Sequence, residues 1–430
     1  MVEVREMVPF AGPVDAVVEP PGSKSITNRA LLAAALATGT SRLRGALLAD
    51  DTEAMIGCAR SLGATVVVED DLTTLTVTGV GGTLVPSGPF DARQSGTTAR
   101  FIASVLALTS NATRLDADEA MRRRPMGDAF DALRSLGVSV SEVELPGRLP
   151  VEIHGPVGAT GAMPTVRIAA SISSQFISGL LLAAPCMPDG LRIEVSGAVV
   201  SRPYLDMTVA VMRSFGASVG TSDSDIFVVE PGGYSAQDYE IEPDASAASY
   251  FFAAAAICGG SVTVPGLGAD SLQGDVRFVD VLAEMGAEVR IERESITVRG
   301  GVLRGVSADF GQISDTAQTM AAVAVFAEGP TTVTGIGFIR NKETDRLTAV
   351  VTELRRLGID AVEDPDGFTV HPGPTVAATI ETYDDHRMAM SMALIGLVRA
   401  GVVIADPSCV RKTFPTYFEE LERLRPGGSR

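Results

Sequence analysis

Apolar and polar positions along the chain repeat one pattern six times. Each copy opens on a small or acidic polar residue followed by an almost unbroken apolar run, as in residues 30–37 behind Ser25. A run that is apolar on every side predicts a helix buried all round. A glycine and a Val/Thr-rich stretch predict a strand next. A second, amphipathic helix then ends on a hydrophobe-glycine step, with a pair of strands behind it. In the first copy these are Arg60-Ser61-Leu62-Gly63 and residues 64–68 and 75–78. The step recurs at Arg134-Ser135-Leu136-Gly137, Arg213-Ser214-Phe215-Gly216, Glu284-Met285-Gly286 and Arg355-Arg356-Leu357-Gly358, and the sixth copy reaches Phe418-Glu419-Glu420-Leu421. The openings, at Ser25, Ser95, Ser171, Asp244, Asp315 and Asp384, lie 69 to 76 residues apart. That spacing is too long for a helical solenoid, and each copy alternates helix and strand.

The sixth copy lacks its closing strands, and the strand-like segments of residues 2–19 are available to complete it. One domain is then discontinuous. The expected organisation is two three-copy domains, residues 21–241 and residues 1–20 with 242–430, crossed near Pro20-Pro21 and between Glu240 and Pro243.

Composition narrows the functions open to such a chain. Of 430 residues, 46% are apolar, 20% are charged and none is tryptophan, which with 44 glycines suits an alanine- and valine-rich α/β protein. The formal net charge of −18 argues against binding nucleic acid or an anionic membrane, so any anion site must be a local basic pocket. Four scattered cysteines without a C-x-x-C pair read as reduced thiols, and the N-terminus shows no secretory pattern; both point to the cytoplasm. Three histidines without paired spacing argue against zinc. The longest apolar run, residues 388–405, is broken by Arg399, Gly396 and Gly401 and reads as a buried helix turning into a strand, not a membrane span.

Candidate chemistry sits at the openings. Pro21-Gly22-Ser23-Lys24-Ser25-Ile26-Thr27-Asn28-Arg29 breaks a strand and starts a helix carrying a lysine and an arginine in its first turns. A helix N-terminus offers unpaired N–H groups and partial positive charge, so this is a docking point for phosphate or carboxylate. It is not a phosphate-binding G-x-x-x-x-G-K-[ST] loop, because the glycine spacing is absent. The second copy supplies Gln94-Ser95-Gly96-Thr97-Thr98-Ala99-Arg100, then Arg122-Arg123-Arg124-Pro125; the third supplies Ser173-Ser174-Gln175, then Ser201-Arg202-Pro203-Tyr204. Taken singly these are ordinary helix caps and solvated charges. The fifth copy adds Asp315 and Arg340-Asn341-Lys342-Glu343-Thr344-Asp345-Arg346; the sixth adds Asp385-His386-Arg387-Met388-Ala389-Met390 and Arg411-Lys412-Thr413-Phe414-Pro415.

In this order and spacing, P-G-S-K-S-x-x-N-R, S-S-Q-F, S-x-P-Y, K-E-T-D-R, D-H-R-M-A-M and K-T-F-P-x-Y-F resemble the 5-enolpyruvylshikimate-3-phosphate synthase family over essentially the whole chain. The resemblance implies an inside-out α/β barrel in each of two domains, built from three βαββαβ units apiece. It implies transfer of the enolpyruvyl group of phosphoenolpyruvate to the 5-hydroxyl of shikimate 3-phosphate, with release of phosphate and no metal or other cofactor. By motif, shikimate 3-phosphate would meet Lys24, Ser25, Arg29, Ser173, Ser174, Gln175, Ser201, Asp315 and Lys342. Phosphoenolpyruvate would meet Lys24, Gly96, Arg124, Gln175, Arg346, Arg387 and Lys412. Asp315 is the expected base for the attacking hydroxyl, while Glu343 and Lys24 are both candidates for protonating the methylene carbon. A cytoplasmic monomer acting on small molecules, with glyphosate competing for the phosphoenolpyruvate site, completes the expectation. Gln94-Ser95, Phe101, Arg202 and Phe338 stand where other residues are common in the family, which bears on inhibitor response and substrate affinity. A UDP-N-acetylglucosamine enolpyruvyl transferase would carry a cysteine among residues 111–125, and none is there. A non-catalytic anion-binding relative would have no need of both Asp315 and Glu343.

Overall fold

A computed structural model describes residues 3–169, 173–197, 201–222 and 225–427. The opening of the third copy at Ser171-Ile172 lies outside the described residues. The chain divides into two compact units, one of residues 22–242 and one of residues 1–21 with 243–430.

Each unit has a centre made of repeat-opening helices. In residues 22–242 these are α1 (Lys24–Leu36), α2 (Gly96–Leu106) and α3 (Ser174–Ala183); in the other unit, α4 (Ala245–Cys258), α5 (Ala317–Ala324) and α6 (His386–Ile395). Every residue of α2, α5 and α6 is buried, and so is α1 from Ile26 onward. Sequences such as ASAASYFFAAAAIC have no polar face to turn toward water. The three helices of each unit pack on one another. Small residues set how closely. A Cβ on Gly179 of α3 would lie 2.6 Å from the Arg100 carbonyl of α2, so only glycine permits that crossing. Between α4, α5 and α6 the hydroxyls of Ser249 and Thr319 lie 3.2 Å apart and those of Thr319 and Ser391 3.4 Å apart, which satisfies polar groups that have no access to solvent.

Sheets form the outer layer, with side chains alternately buried and exposed, as in Thr40–Arg44, where Ser41 and Leu43 point inward. In the first repeat the strand order is Asp238–Glu240, Thr40–Arg44, Leu75–Thr78, Thr65–Val68; the outer pair with Asp238–Glu240 is parallel and the rest antiparallel. Among the described residues, five sheets have four strands and the sixth has three. The inside-out α/β class therefore holds, with helices within and sheets without. The order inside a repeat is β-α-β-α-β-β, however, not βαββαβ. The reason is pairing geometry. The edge strand and its neighbour run parallel and need a crossover helix, whereas the last two strands form an antiparallel hairpin that a tight turn can close.

The N-terminal strands also divide differently from the expectation. Val4–Glu6 completes the sixth repeat, antiparallel to Val402–Ala405. Val14–Val17 instead pairs parallel with Gly260–Pro265 in the fourth repeat. It serves there as the edge strand that precedes α4, with residues 22–242 inserted between strand and helix. At the crossings, Ser23 N–H donates to the Glu242 carbonyl at 2.8 Å within one unit, and Asp244 N–H donates to the Pro21 carbonyl at 2.8 Å within the other. Residues 388–405 are helix as far as Ile395 and strand from Val402. Among the described residues no helix is long and apolar enough to cross a membrane.

Candidate active site

In residues 22–242 the expected site residues gather at helix starts. Ser23 caps α1, its hydroxyl accepting from the Ile26 N–H at 3.4 Å. Lys24 is the first residue of α1 and pairs with the buried Asp51 carboxylate at 3.3 Å. Ser25 and Arg29 follow on the same helix, and Arg29 is 1% exposed. Its guanidinium donates to Thr208 Oγ1 (2.7 Å), the Ser25 carbonyl (2.9 Å), Ser178 Oγ (3.3 Å) and the Tyr204 carbonyl (3.2 Å). All four acceptors are neutral. Burial pushes the Arg29 guanidinium down to about 10, only partly offset by Tyr204. Ser201, in the left-handed region at φ +55°, stands immediately before the helix Arg202–Ser214 that carries Tyr204 and Thr208.

Ser95 caps α2, its Oγ accepting from Thr98 N–H at 3.2 Å. The unusual serine at this position therefore has a local role. Gly96 is the first residue of α2, and a Cβ there would lie 2.7 Å from Arg100 Nη1 and 2.8 and 2.9 Å from Arg124 Nη1 and Nη2. Two buried guanidinium groups thus converge over one bare backbone position at the start of a helix. Arg100 donates to Gln175 Oε1 at 2.7 Å, and Gln175 Nε2 donates to Thr97 Oγ1 at 3.1 Å. Ser173 caps α3 by accepting from Gln175 N–H at 3.3 Å, and Ser174 is buried beside it. The neighbouring arginines point elsewhere. Arg122 pairs with Asp116 and Glu144, Arg123 with Glu119. Arg202 pairs with Asp206 and Asp225.

In the other unit the expected residues form one connected network. Asp315 lies in a short 3-10 turn, Ser314–Thr316, just before α5 and not on the helix itself. Arg346 opens the helix Arg346–Arg356, and Asp345 caps it. The Arg346 guanidinium reaches three carboxylates: Asp385 (2.7 and 3.3 Å), Glu343 (2.8 Å) and Asp315 (3.3 Å). Arg387 donates to the other oxygen of Asp315 at 2.8 Å and to Tyr250 Oη at 3.4 Å. Lys412 completes the chain on Glu343 at 3.0 Å. Lys342, half-buried, ends the preceding 3-10 turn. Burial alone would lower the Arg346 guanidinium, but Asp385, Glu343 and Asp315 outweigh it and hold the group above its usual value.

Asp385 has two roles. It caps α6 through the Arg387 N–H at 2.9 Å and fixes Arg346 from below. Beside the network, Asp275 is buried and accepts from Ser246 Oγ on the first turn of α4. Burial first, then the charge of Asp315, pushes its carboxyl up to about 7, against the Ser246 bond and Arg387. Sequence reasoning assigned nothing to Asp51, Arg100, Tyr250 or Asp275, although Arg100 stands one turn beyond Gly96 and was the most accessible of them. Among the described residues no cluster of His, Cys, Asp and Glu side chains could hold a metal ion.

Both halves of this chemistry are anion-seeking: cations held in place by carboxylates or polar oxygens at helix starts. Residues 10–421 match the family profile described as EPSP synthase (3-phosphoshikimate 1-carboxyvinyltransferase). The chain is 45% identical over 417 residues to the 3-phosphoshikimate 1-carboxyvinyltransferase of Trichormus variabilis, covering 96% of this chain and 97% of that one. It is 44% identical over 421 residues to the protein of that name from Serratia proteamaculans, covering 96% of each. An EPSP synthase structure from Acinetobacter baumannii superimposes with a TM-score of 0.84 at 25% identity, covering 98% of both chains. The enolpyruvyl transferase NikO of Streptomyces tendae shares the fold, with a TM-score of 0.79 at 18% identity and coverage of 99% of this chain and 98% of that one. A match that runs through all six repeats, at such identity and in the same fold, makes this chain a member of the EPSP synthase family.

Proposed function

We propose that the protein transfers the carboxyvinyl group of phosphoenolpyruvate to the 5-hydroxyl of shikimate 3-phosphate and releases inorganic phosphate, a step of the shikimate pathway. The observation that carries the assignment of roles is Asp315 held through both oxygens by Arg346 and Arg387. The two guanidinium groups bind that carboxylate, and they are also what an incoming carboxylate would bind bidentately. Phosphoenolpyruvate drawing them off leaves Asp315 free to accept a proton.

In this reading the hydroxyl oxygen adds to C2 of the enolpyruvyl group as Asp315 takes its proton. Glu343 or Lys24 delivers a proton to the methylene carbon, giving a tetrahedral adduct. Loss of phosphate with removal of a methyl proton restores the double bond. Lys24, Gly96, Arg124, Gln175, Arg346, Arg387 and Lys412 serve phosphoenolpyruvate. Lys24, Ser25, Arg29, Ser173, Ser174, Gln175 and Ser201, with Asp315 and Lys342, serve shikimate 3-phosphate. Residues 22–242 then carry much of the shikimate 3-phosphate site, and the discontinuous unit carries Asp315, Glu343, Arg346, Arg387 and Lys412. The net charge of −18 supports a protein without nucleic-acid or anionic-membrane partners, and the four free cysteines a cytoplasmic one, which we read as a monomer.

The test is phosphate release from the two substrates by the purified protein. Asp315→Ala is expected to keep shikimate 3-phosphate binding within about tenfold and lower kcat by about 10² or more. A variant with near-normal kcat removes Asp315 from the base role. Phosphate release with UDP-N-acetylglucosamine as acceptor, and none with shikimate 3-phosphate, overturns the substrate assignment.

A further inference from the structure

Two residues outside the proposed reaction, Glu353 and Tyr383, are joined by a short hydrogen bond behind the Arg346 network. Glu353 lies two turns beyond Arg346 on the helix Arg346–Arg356 and is wholly buried. Its Oε1 accepts from Tyr383 Oη at 2.6 Å, and its Oε2 accepts from Glu381 N–H at 3.1 Å. The same Oε2 pairs with Arg356 Nε at 3.0 Å. A buried carboxylate is costly unless such partners meet it. Two of the three donors come from one stretch, residues 381–384, which links the strand Ala378–Ile380 to Asp385 and α6.

That link is tightly bent. Tyr383 and Asp384 are both left-handed, at φ +56° and +55°, and Asp385 follows at once. Asp385 N–H donates back to the Thr382 carbonyl at 2.9 Å, which closes the turn. A bulky residue such as tyrosine is sterically disfavoured in that region and persists only where its surroundings impose it. Here the buried Glu353 holds the tyrosine by its far end. What the turn delivers is Asp385, which bonds Arg346 at 2.7 and 3.3 Å and caps α6 through Arg387 N–H at 2.9 Å. The helix of Arg346 and the approach to α6 are therefore tied at two points, Arg346 to Asp385 and Glu353 to Tyr383. One tie alone permits pivoting about it; two fix the first turn of α6 against the helix.

We propose that Glu353 and Tyr383 are positioning residues for the reaction: their bond holds the left-handed turn that sets Asp385, and through it the Arg346 and Arg387 guanidinium groups, for phosphoenolpyruvate. This rests on the reading of those two arginines as phosphoenolpyruvate-binding. Tyr383→Phe removes one hydroxyl from a residue that is 40% exposed, so the packing of the chain is kept.

The experiment is kcat and KM for each substrate in the full-length native protein, Tyr383→Phe, Glu353→Gln and the double variant. In Tyr383→Phe the KM for phosphoenolpyruvate is expected to rise about tenfold, the lower end of what one hydrogen bond to a charged group is worth. The KM for shikimate 3-phosphate is expected to stay within about twofold. A merely structural loss shrinks the folded fraction, which lowers kcat and leaves both KM values native; that result overturns the proposal. Glu353→Gln weakens the same bond from the acceptor side, so adding Tyr383→Phe to it should raise KM by far less than the single variant does; an undiminished factor overturns the clamp. If Glu353→Gln does not fold, the two KM values of Tyr383→Phe decide alone. A native protein that releases no phosphate overturns this inference together with the reading of the site, whereas native turnover with an unmoved phosphoenolpyruvate KM in Tyr383→Phe overturns this inference only.

Discussion

At Gly96 a single carbon decides the geometry of two arginines. A methyl there meets the Arg100 and Arg124 nitrogens at 2.7 to 2.9 Å, and Arg100 cannot retreat freely because Gln175 and the ring of Phe176, 5.0 Å from its guanidinium carbon, hold it. Gly96→Ala is therefore expected to raise KM for phosphoenolpyruvate by about tenfold or more, a displacement near 1 Å being costly in a tightly fitted site. We propose weak, competitive inhibition of the native enzyme by glyphosate, and its loss in Gly96→Ala. Inhibition curves for both proteins check this, and unchanged curves would place Gly96 outside the pocket. Phe101 is wholly buried with the Arg29 guanidinium 5.2 Å above its ring, so Phe101→Pro is expected to alter inhibition through Arg29 and α2, and an unchanged curve would leave it a core residue only. Asp275 gives a stability prediction. Its folded-state proton affinity is raised, so its contribution is complete below the unfolded carboxylate value of about 4 and is lost as pH rises through about 7. Urea midpoints from pH 4 to 8 should fall for the native protein relative to Asp275→Asn. At this scale the motif residues were legible because they are contiguous: Lys24 with Arg29, Glu343 with Arg346. Asp275 and Arg100 were not, since their meaning comes from Ser246 and Gln175, distant in sequence.

The opening helices show what makes an element legible. An apolar run such as residues 30–37 can only be a helix buried all round, and six of them announced the repeats. What announces nothing is the turn in front of each. Several backbone positions at these approaches are left-handed without being glycine: Arg93 before Ser95, Tyr383 and Asp384 before Asp385, Ser201, and Asp406 before the turn that ends at Lys412. Such conformations cost about 1–3 kcal/mol each and persist where the surroundings dictate them. Asp385 shows how. It caps α6 and holds the buried Arg346, so Asp385→Ala is expected to destabilise the protein by about 3–5 kcal/mol, much of it for leaving a buried guanidinium short of a partner. Urea denaturation measures it; a loss under about 1 kcal/mol, the worth of the cap alone, would mean Arg346 finds other support. The edge strands were the least legible elements. Alternation identifies Val14–Val17 as a strand but carries no address for its partner, Gly260–Pro265.

At the scale of the molecule the two units differ in what they need from the rest of the chain. Residues 22–242 contain all the strands of their three sheets, including the edge strand Asp238–Glu240. Residues 243–430 lack two, Val4–Glu6 and Val14–Val17. Expressed alone, residues 22–242 should melt in one cooperative transition, while residues 243–430 should fail to fold or aggregate through the exposed edge of Gly260–Pro265. Circular dichroism melts and gel filtration of the two fragments decide it; the reverse result would mean the N-terminal strands are dispensable. The crossings have a further meaning. Ser23 bonds Glu242, so the unit of residues 22–242, followed from one crossing around to the other, is a closed circuit. Where translation begins on a circuit is a historical accident. Residues 22 and 242 could be joined and the ring cut at the exposed turn Gly81-Gly82, leaving every strand pair of the unit intact. Such a permuted unit should melt where the unpermuted one does. For residues 22–242, the order of the sequence is one of several equivalent ways to write the same fold.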